Sequence, residues 1–256
     1  MLQRYLTMFT KSMKDKYKHR VYIDLFAGCG QAQIDGDGET YDTSPLIALS
    51  VKHPFSRYIF CEQNEEKAAA LMARVEQRHP GADVRFVKGD VNLKVNEILA
   101  HMPSKSEGVL TFAMVDPYNL GSLKFKTLES LASRYRVDML VLLATYMDGK
   151  RNKNLYLEEG NQIIADLLGA ADWRSKYLTK ETPDDFGLFL ITAFMQRMQT
   201  IGYMQNALSE VEKIKVHGKG VPLYNLTFFS RHPLGKKFWK DARVRNDETI
   251  SLDFLE

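Results

Sequence analysis

One stretch of the chain decides its fold: Val21-Tyr22-Ile23-Asp24-Leu25-Phe26-Ala27-Gly28-Cys29-Gly30. It joins an apolar run to two closely spaced glycines. Such a run, stopped by glycine, is typical of a buried strand followed by a tight turn. Glycine also lets the backbone of the turn approach a ligand closely. The stretch therefore predicts the first strand of a sheet, with a candidate binding site at its C-terminal end.

Helix and strand patterns alternate outward from this stretch. An amphipathic helix is predicted before it, over residues 3–17, and a loop after it, over residues 31–43. The predicted strands that follow are Arg57–Cys61, Val84–Val87, Val109–Val115 and Val137–Leu143. The predicted helices between them are Ser44 towards His53, Glu65–Arg78, Asn92–His101 and Phe125–Tyr135. Strands that are apolar on both faces and alternate with helices indicate a parallel sheet covered on both sides.

The second half of the chain changes character. Residues 145–160 are polar, and helices are predicted over 161–168 and 185–200. Two strand patterns, Ala207–Val216 and Leu223–Ser230, flank His217-Gly218-Lys219-Gly220, which is a hairpin signal. The predicted fold class is therefore α/β: a doubly wound, mostly parallel seven-stranded sheet with a C-terminal antiparallel hairpin strand.

This pattern also predicts the domain organisation. Residues 1–20 form an N-terminal amphipathic helix. Residues 21–256 form one domain, within which residues 145–205 are a helical elaboration.

Composition excludes several classes of protein. The 256 residues are 45% hydrophobic and 26% charged with a formal net charge of +3, which excludes wholesale disorder. Two cysteines provide neither a disulfide framework nor a four-ligand zinc set, and they favour a reduced, cytoplasmic setting. No apolar run approaches the ~20 residues of a membrane span, so we expect no membrane association. None of the six histidines has the spacing of a helical metal pair, so we expect no metal.

Polar or glycine residues follow four successive predicted strands. These strand ends are Asp24 to Gly30, Cys61-Glu62-Gln63, Gly89-Asp90-Val91-Asn92 and Asp116-Pro117-Tyr118-Asn119. Glu62 can accept hydrogen bonds from both hydroxyls of a ribose, and Asp90 can accept one from an adenine amino group. Each signal alone is typical of a turn or a helix-capping acid. Together, at one edge of a parallel sheet, they predict a ligand that contains a nucleoside.

The ligand is expected to lack phosphate. The dinucleotide fingerprint requires a third glycine where this chain has Gln33. The acidic loop after Gly30 also places no helix N-terminus directly against a pyrophosphate.

The order of these motifs resembles the class I methyltransferases, which bind S-adenosyl-L-methionine. The resemblance implies that Asp24, Ala27 and Gly28 line the methionine part of the cofactor, Glu62 binds the ribose, and Asp90 binds the adenine amino group. The cofactor-binding residues predicted at the strand ends are Asp24, Phe26, Ala27, Gly28, Gly30, Glu62, Gln63, Asp90 and Val91.

Asp116-Pro117-Tyr118-Asn119 resembles the Asp/Asn/Ser-Pro-Pro-Tyr/Phe signature of enzymes that methylate exocyclic amino nitrogens of bases. There the carboxylate and the proline carbonyl accept the two amino hydrogens, and the aromatic ring stacks on an extruded base. In this chain the second proline is missing, so Asn119 occupies the aromatic position. The four residues are the predicted catalytic set; the alternative is a strand-to-helix turn with Asn119 as a local cap.

A longer set of motifs resembles the three-Cys-motif partner family, TcmP. It comprises Tyr22 to Gly30, Ser44-Pro45-Leu46-Ile47-Ala48-Leu49, Asp116-Pro117-Tyr118, and His232-Pro233-Leu234-Gly235 with Phe238-Trp239. The resemblance spans most of the chain, from the first predicted helix to Trp239, and it implies a methyltransferase-like fold. It also implies a partner protein with a three-cysteine motif, similar to radical S-adenosylmethionine enzymes.

Basic residues cluster near both ends of the chain. The N-terminal cluster is Lys11, Lys14, Lys16, Lys18, His19 and Arg20, and the C-terminal cluster is Arg231, His232, Lys236, Lys237, Lys240, Arg243 and Arg245. Interleaved with them are Tyr17, Phe238 and Trp239, a pattern that suits a nucleic-acid backbone with stacked bases. The alternative is a pair of solvated helix faces.

Two functions remain open at this point. The first is an S-adenosylmethionine-dependent methyltransferase that acts on an exocyclic amino nitrogen of a nucleic-acid base. The second is a weak or inactive methyltransferase-like adaptor that binds nucleic acid and the three-cysteine-motif partner.

Overall fold

The computed structural model describes residues 1–33, 38–179, 185–215 and 220–244. Its strands are β1 (His19–Asp24), β2 (Gln31–Gln33), β3 (Thr40–Asp42), β4 (Arg57–Glu62), β5 (Val84–Lys88), β6 (Val109–Val115), β7 (Val137–Leu143), β8 (Glu212–Lys215) and β9 (Pro222–Phe229). Its α-helices are α1 (Leu2–Met13), α2 (Ser44–Leu49), α3 (Glu65–Arg78), α4 (Val91–Ala100), α5 (Phe125–Arg134), α6 (Lys153–Leu157), α7 (Ile163–Leu168), α8 (Trp173–Leu178), α9 (Phe186–Thr200) and α10 (Pro233–Val244). None of these helices is long and apolar enough to cross a membrane.

Seven strands form the main sheet in the order β5-β4-β1-β6-β7-β9-β8. The five strands from β5 to β7 pair in parallel, and β9 runs antiparallel to both β7 and β8. This arrangement confirms the predicted fold class, a doubly wound, mostly parallel seven-stranded sheet with a C-terminal antiparallel hairpin strand. After β1 the chain adds β4 and β5 on one side of it, and then crosses back to add β6 and β7 on the other side. The crevice at this switch point is where open α/β sheets bind ligands.

Alternation of side chains along β1 explains the two layers of the core. Val21 and Ile23 face one apolar cluster, which α4, α5, α7 and α9 cover. Tyr22 faces the other cluster, which α1, α2, α3 and α10 cover. The second cluster is rich in aromatic rings, and Tyr5 of α1 contacts both Phe112 and Phe228 across the sheet.

The structure corrects the sequence prediction in the long loop. Residues 31–33 and 40–42, predicted as loop, pair as the two-stranded sheet of β2 and β3. Arg78 of α3 secures this pair by donating to both carboxylate oxygens of Asp42, at 2.7 and 2.6 Å. Helix α2 begins at Ser44, as predicted, with Thr43 as its N-cap, and it ends at Leu49 instead of continuing towards His53.

Other departures concern element ends and short helices. The first helix ends at Met13 instead of residue 17. The polar segment after β7 forms a π-helical turn over Thr145–Lys150 and then α6, and α8 follows α7. Neither short helix was predicted, because each buries few side chains, notably Tyr156 and Trp173. Most of the predicted hairpin turn, residues 217–219, lies outside the described residues.

Candidate functional site

A cleft of about 850 Å³ opens at the C-terminal ends of the parallel strands. All four predicted strand ends contribute to its lining, with Gly28, Glu62, Asp90 and Asp116 among the residues. The opposite wall comes from β8 and β9 and includes Tyr224. The register of the parallel strands therefore brings together residues that are far apart in the sequence.

Glu62 ties the first strand end to the second. Its Oε2 accepts a hydrogen bond from the backbone N–H of Gly28 at 2.7 Å, and its Oε1 accepts one from Asn64 at 2.8 Å. Each oxygen keeps a further lone pair. The carboxylate is therefore held in one orientation at the cleft and can still accept hydrogen bonds from a ligand.

The two glycines after β1 differ in what they do. Gly28 has φ +63°, and no atom lies within 4 Å of the place where a Cβ would stand, so its backbone is open to a ligand. Gly30 has φ +84°, and a Cβ there would lie 2.7 Å from Cδ1 of Leu71. Gly30 therefore permits close packing of the loop on α3 and is absent from the cleft lining.

Asp24 lies beneath the cleft and does not line it. Its carboxylate is fully buried and accepts hydrogen bonds from the Tyr22 hydroxyl at 3.1 Å and from the Phe26 N–H at 3.3 Å. Burial raises the pKa of Asp24 to about 6, while hydrogen bonds from Ser44, Tyr22 and Phe26 oppose the increase. Ala27 is also buried, and its N–H donates to the Cys61 carbonyl at 2.9 Å. Asp24 and Ala27 therefore shape the loop, whereas the neighbouring Phe26 reaches the cleft.

The two carboxylate oxygens of Asp90 differ in their hydrogen bonds. Oδ1 caps α4 by accepting the Asn92 N–H at 2.9 Å, and it also accepts the Asn92 side-chain amide at 2.9 Å. Within the described chain no group donates to Oδ2. The capping alternative thus holds for one oxygen of Asp90, and the other is available to a ligand in the cleft. Gln63 and Val91, beside Glu62 and Asp90, also line the cleft.

Asn92 joins the third strand end to the fourth, a role that the sequence did not reveal. Its Nδ2 donates to the Ser122 carbonyl, and its Oδ1 accepts from the Lys124 N–H, both at 2.9 Å. Asn92 therefore holds the loop after Asp116 against the start of α4.

Asp116 directly follows β6, where protein surrounds it on most sides but its side chain is exposed to the cleft. No hydrogen bond to this carboxylate exists among the described residues. Burial raises its pKa to about 7, and the charge of Asp24 adds to the increase. Because water in the open cleft reaches and screens the carboxylate, we expect the full increase only when a ligand fills the cleft.

The other three residues of the predicted catalytic set have different surroundings. Pro117 is buried and lines the cleft, and the Tyr118 side chain, 89% exposed, stands at its mouth. Asn119 is not in the lining, and its Oδ1 accepts from the Ser122 hydroxyl at 3.0 Å. This contact matches the local-turn alternative for Asn119. The cleft brings together Asp116, Pro117 and Tyr118.

Tyr224 on β9 is a cleft residue that sequence reasoning missed. It lies close enough to Asp116 and Tyr118 that their charges add to the effect of burial in raising its pKa. No local pattern marks Tyr224, because only the antiparallel pairing of β9 with β7 brings it to this edge of the sheet.

The basic clusters lie mainly at the other edge of the sheet. Met1 and Leu2 line the cleft at one end of α1, whereas Met13, Lys16 and Tyr17 line a second cavity beyond its other end. His232 and Leu234, at the start of α10, line that same cavity. Several cations of the clusters are ion-paired, and the pairs are Lys18–Glu107, Lys236–Glu210 and Arg243–Glu212. Arg245 lies outside the described residues.

The cleft shows no arrangement of metal ligands. In the parts of the chain that the structure describes, no three His, Cys, Asp or Glu side chains are grouped so that they could hold a metal ion.

Comparisons with known proteins give likenesses to solved structures only. No protein-family model matches the chain, and no curated protein matches it. Trm1 from Pyrococcus horikoshii, solved with S-adenosyl-L-methionine, is 10% identical with a TM-score of 0.45, over 93% of this chain and 57% of that one.

Two further structures are similar at the same level. Magnesium protoporphyrin IX methyltransferase from Synechocystis, solved with the same cofactor, is 7% identical with a TM-score of 0.43, over 90% of this chain and 79% of that one. A DUF519 protein from Legionella pneumophila is 13% identical with a TM-score of 0.45, over 67% of this chain and 73% of that one.

Proposed function

We propose that this chain is a methyltransferase that binds S-adenosyl-L-methionine in the cleft. The observation that carries the proposal is the set of three carboxylates, Glu62, Asp90 and Asp116, which end or follow the parallel strands β4, β5 and β6 and line one cleft. Carboxylates repel the phosphates of a dinucleotide, whereas they suit the hydroxyl and amino donors of a nucleoside and the positive charge of a sulfonium. The hydroxyl, amino and sulfonium groups of the cofactor fit this set of acceptors.

Each end of the cofactor has a group in the cleft that could hold it. Glu62 would accept the ribose hydroxyls, and Oδ2 of Asp90 would accept the adenine amino group. The open backbone at Gly28 would adjoin the methionine part. When bound, the cofactor supplies an electrophilic methyl group.

We propose that the group that receives the methyl is an exocyclic amino nitrogen of a nucleic-acid base. Asp116 has an unpartnered carboxylate, and the rings of Tyr118 and Tyr224 stand beside it in the cleft lining. Asp116 would accept a hydrogen bond from the amino group and so orient its lone pair. With a pKa of about 7, it could also take the proton that the nitrogen loses when the new N–C bond forms.

The methyltransferase-like adaptor is the second candidate. The observation that favours it is that the second cavity, beside the basic residues Lys16 and His232, lies at the opposite edge of the sheet from Asp116. Nucleic acid held there would not by itself deliver a base to the cleft. Membership of the TcmP family and binding of a three-cysteine-motif partner belong to both candidates and rest on the motifs quoted above.

Binding of the cofactor should depend on Glu62. A hydrogen bond to a charged group contributes about 1.5–3 kcal/mol, so Glu62→Ala should weaken the binding of S-adenosyl-L-methionine at least about tenfold. Isothermal titration calorimetry measures the effect. Glu65→Ala, an exposed acid on the first turn of α3 outside the cleft lining, is the matched control. Equal affinities for wild type and Glu62→Ala would contradict the assignment.

An assay of methyl transfer distinguishes the two candidate functions, enzyme and adaptor. We expect Asp116→Asn to lower transfer about a hundredfold, which is about 2.7 kcal/mol, with little change in cofactor affinity. The assay follows labelled methyl groups from the cofactor into total nucleic acid, with and without the three-cysteine-motif partner. Absence of transfer by wild type in both conditions would favour the adaptor. Full transfer by Asp116→Asn would place the chemistry elsewhere.

A further inference from the structure

A second cavity, of about 480 Å³, lies at the N-terminal edge of the parallel strands. The segment after α1, the starts of β6 and β7, and the first turns of α10 line it. The 12 residues of α1 span about 18 Å between this cavity and the cleft at a rise of 1.5 Å per residue. The cavity contains none of the residues assigned to the cofactor.

Asp138 provides a hydrogen-bond acceptor within this cavity. Its Oδ2 accepts a hydrogen bond from the buried Tyr5 hydroxyl at 2.9 Å, and the Ser230 hydroxyl also contacts the carboxylate. Gly235 of α10 packs closely here, because a Cβ at that position would lie 2.8 Å from Oδ2. A carboxylate has about four acceptor sites, so Asp138 keeps capacity for donors of a ligand.

Two aromatic rings in the cavity wall have no aromatic partner. Tyr17 and Phe238 are half-buried, and neither ring contacts another ring among the described residues. Phe9, in the same wall, differs because it stacks on Phe55 at a centroid distance of 5.9 Å. Phe238 also packs in part against the apolar core on this side of the sheet, and each ring keeps an exposed part that a flat ligand can contact.

The rim carries cations that the protein does not neutralise. Lys16 and Arg136 are exposed, and their side chains make no ion pair or hydrogen bond within the described residues. Lys237 on α10 is likewise exposed and unpaired there. Arg231 is different, because its guanidinium donates to the carbonyls of Ala132 and Ile201.

We propose that this second cavity binds a nucleotide. The base would lie against Tyr17 and Phe238 with its amino edge towards Asp138, and the phosphate would meet Lys16 and Arg136. Stacking on aromatic rings and backbone contacts to free cations are the two elements of single-strand recognition. The nucleotide could be free or part of a single-stranded chain, and the chemistry of recognition is the same.

The test measures binding of adenosine monophosphate by calorimetry and of labelled single-stranded A-rich and U-rich RNA by fluorescence anisotropy. Tyr17→Ala and Arg136→Glu should each weaken binding about tenfold, whereas Lys126→Glu, on exposed α5 surface outside both cavities, should leave it unchanged. If the monophosphate binds and both substitutions weaken its binding, the ligand is a free nucleotide. If only RNA binds, the ligand is a nucleotide within a single-stranded nucleic acid.

Base recognition has its own readout. Adenine presents an amino group to Asp138, whereas uracil presents a single ring N–H between two carbonyl oxygens that the carboxylate repels, so Asp138→Asn should weaken binding of A-rich RNA several-fold more than binding of U-rich RNA. Affinity for S-adenosyl-L-methionine should stay the same in all these variants, which separates this proposal from the cofactor cleft. The proposal is overturned if wild type binds neither probe, or if Tyr17→Ala and Arg136→Glu behave like Lys126→Glu.

Discussion

At the scale of single residues, the acids of the cleft differ in how far the protein satisfies them. Glu62 and Asp90 accept backbone N–H groups, whereas Asp116 has no hydrogen-bond donor among the described residues. Desolvation by the surrounding protein, and then the charge of Asp24, raise the pKa of Asp116 to about 7, and no hydrogen bond from the described residues opposes the increase. A carboxyl group in this state responds to the charge of whatever enters the cleft.

This response predicts a pH dependence of cofactor binding. The carboxyl of Asp116 is neutral below its pKa and negative above it, and only the negative form attracts a sulfonium. Affinity for S-adenosyl-L-methionine should therefore rise a few-fold at most as the pH rises towards about 7, relative to the demethylated product, which lacks that charge, because water in the open cleft screens the carboxylate. Titration calorimetry of both ligands measures the ratio. In Asp116→Asn the ratio of the two affinities should not vary with pH. If the ratio still varies in this variant, another group causes the pH dependence.

At the scale of elements, the π-helical turn after β7 supports the loop that carries Asp116. Asp148 in this turn accepts the backbone N–H of Leu120 at 2.8 Å, the Tyr156 hydroxyl at 2.7 Å and the Asn152 amide at 2.6 Å. The polar residues 145–160 therefore include a structural acid.

Asp148→Ala should destabilise the protein and misplace the catalytic loop. It leaves the Leu120 N–H and the hydroxyl of the buried Tyr156 without their acceptor, so the free energy of unfolding should fall by about 2–3 kcal/mol. Urea denaturation measures this loss, and methyl transfer should fall more than cofactor affinity. Asp166→Ala is the control, because its ion pair with Lys124 is exposed. Equal effects of the two substitutions would rule out the supporting role.

At the scale of the whole molecule, two cavities lie at opposite edges of one sheet, and a buried acid lies beneath the larger one. The pKa of Asp24 is raised to about 6 from an ordinary value of 3.8. Below pH 4 the group is protonated in both the folded and the unfolded chain. Between about pH 4 and pH 6 the unfolded chain has lost this proton while the folded chain retains it, so the folded state loses stability as the pH rises over this range.

Asp24→Asn removes this cost of ionisation. The stability of the variant relative to wild type should therefore rise by about 3 kcal/mol between pH 4 and pH 7, from a shift of about two pKa units. Urea denaturation at several pH values follows the difference. Asp241→Asn, at an exposed position on α10, should show no such trend. A constant difference for Asp24→Asn would mean that Asp24 ionises equally in both states.

Local pattern was enough to predict much of this protein. The apolar run that ends at Gly28 predicted β1, and the alternation that follows predicted the parallel sheet, because both depend on periodicity along the chain. Glu62, Asp90 and Asp116 were predicted at one edge, because parallel strands end together.

Long-range packing decided the rest. The place of Asp24 beneath the cleft, the position of Tyr224 opposite Asp116, and the hydrogen bonds of Asp148 to the Leu120 loop all join segments that no local period relates. The separation of the second cavity from the cleft likewise follows from the direction in which α1 and α10 lie across the sheet. These contacts depend on which strands pair and which helices cover them, and only the tertiary structure contains that information.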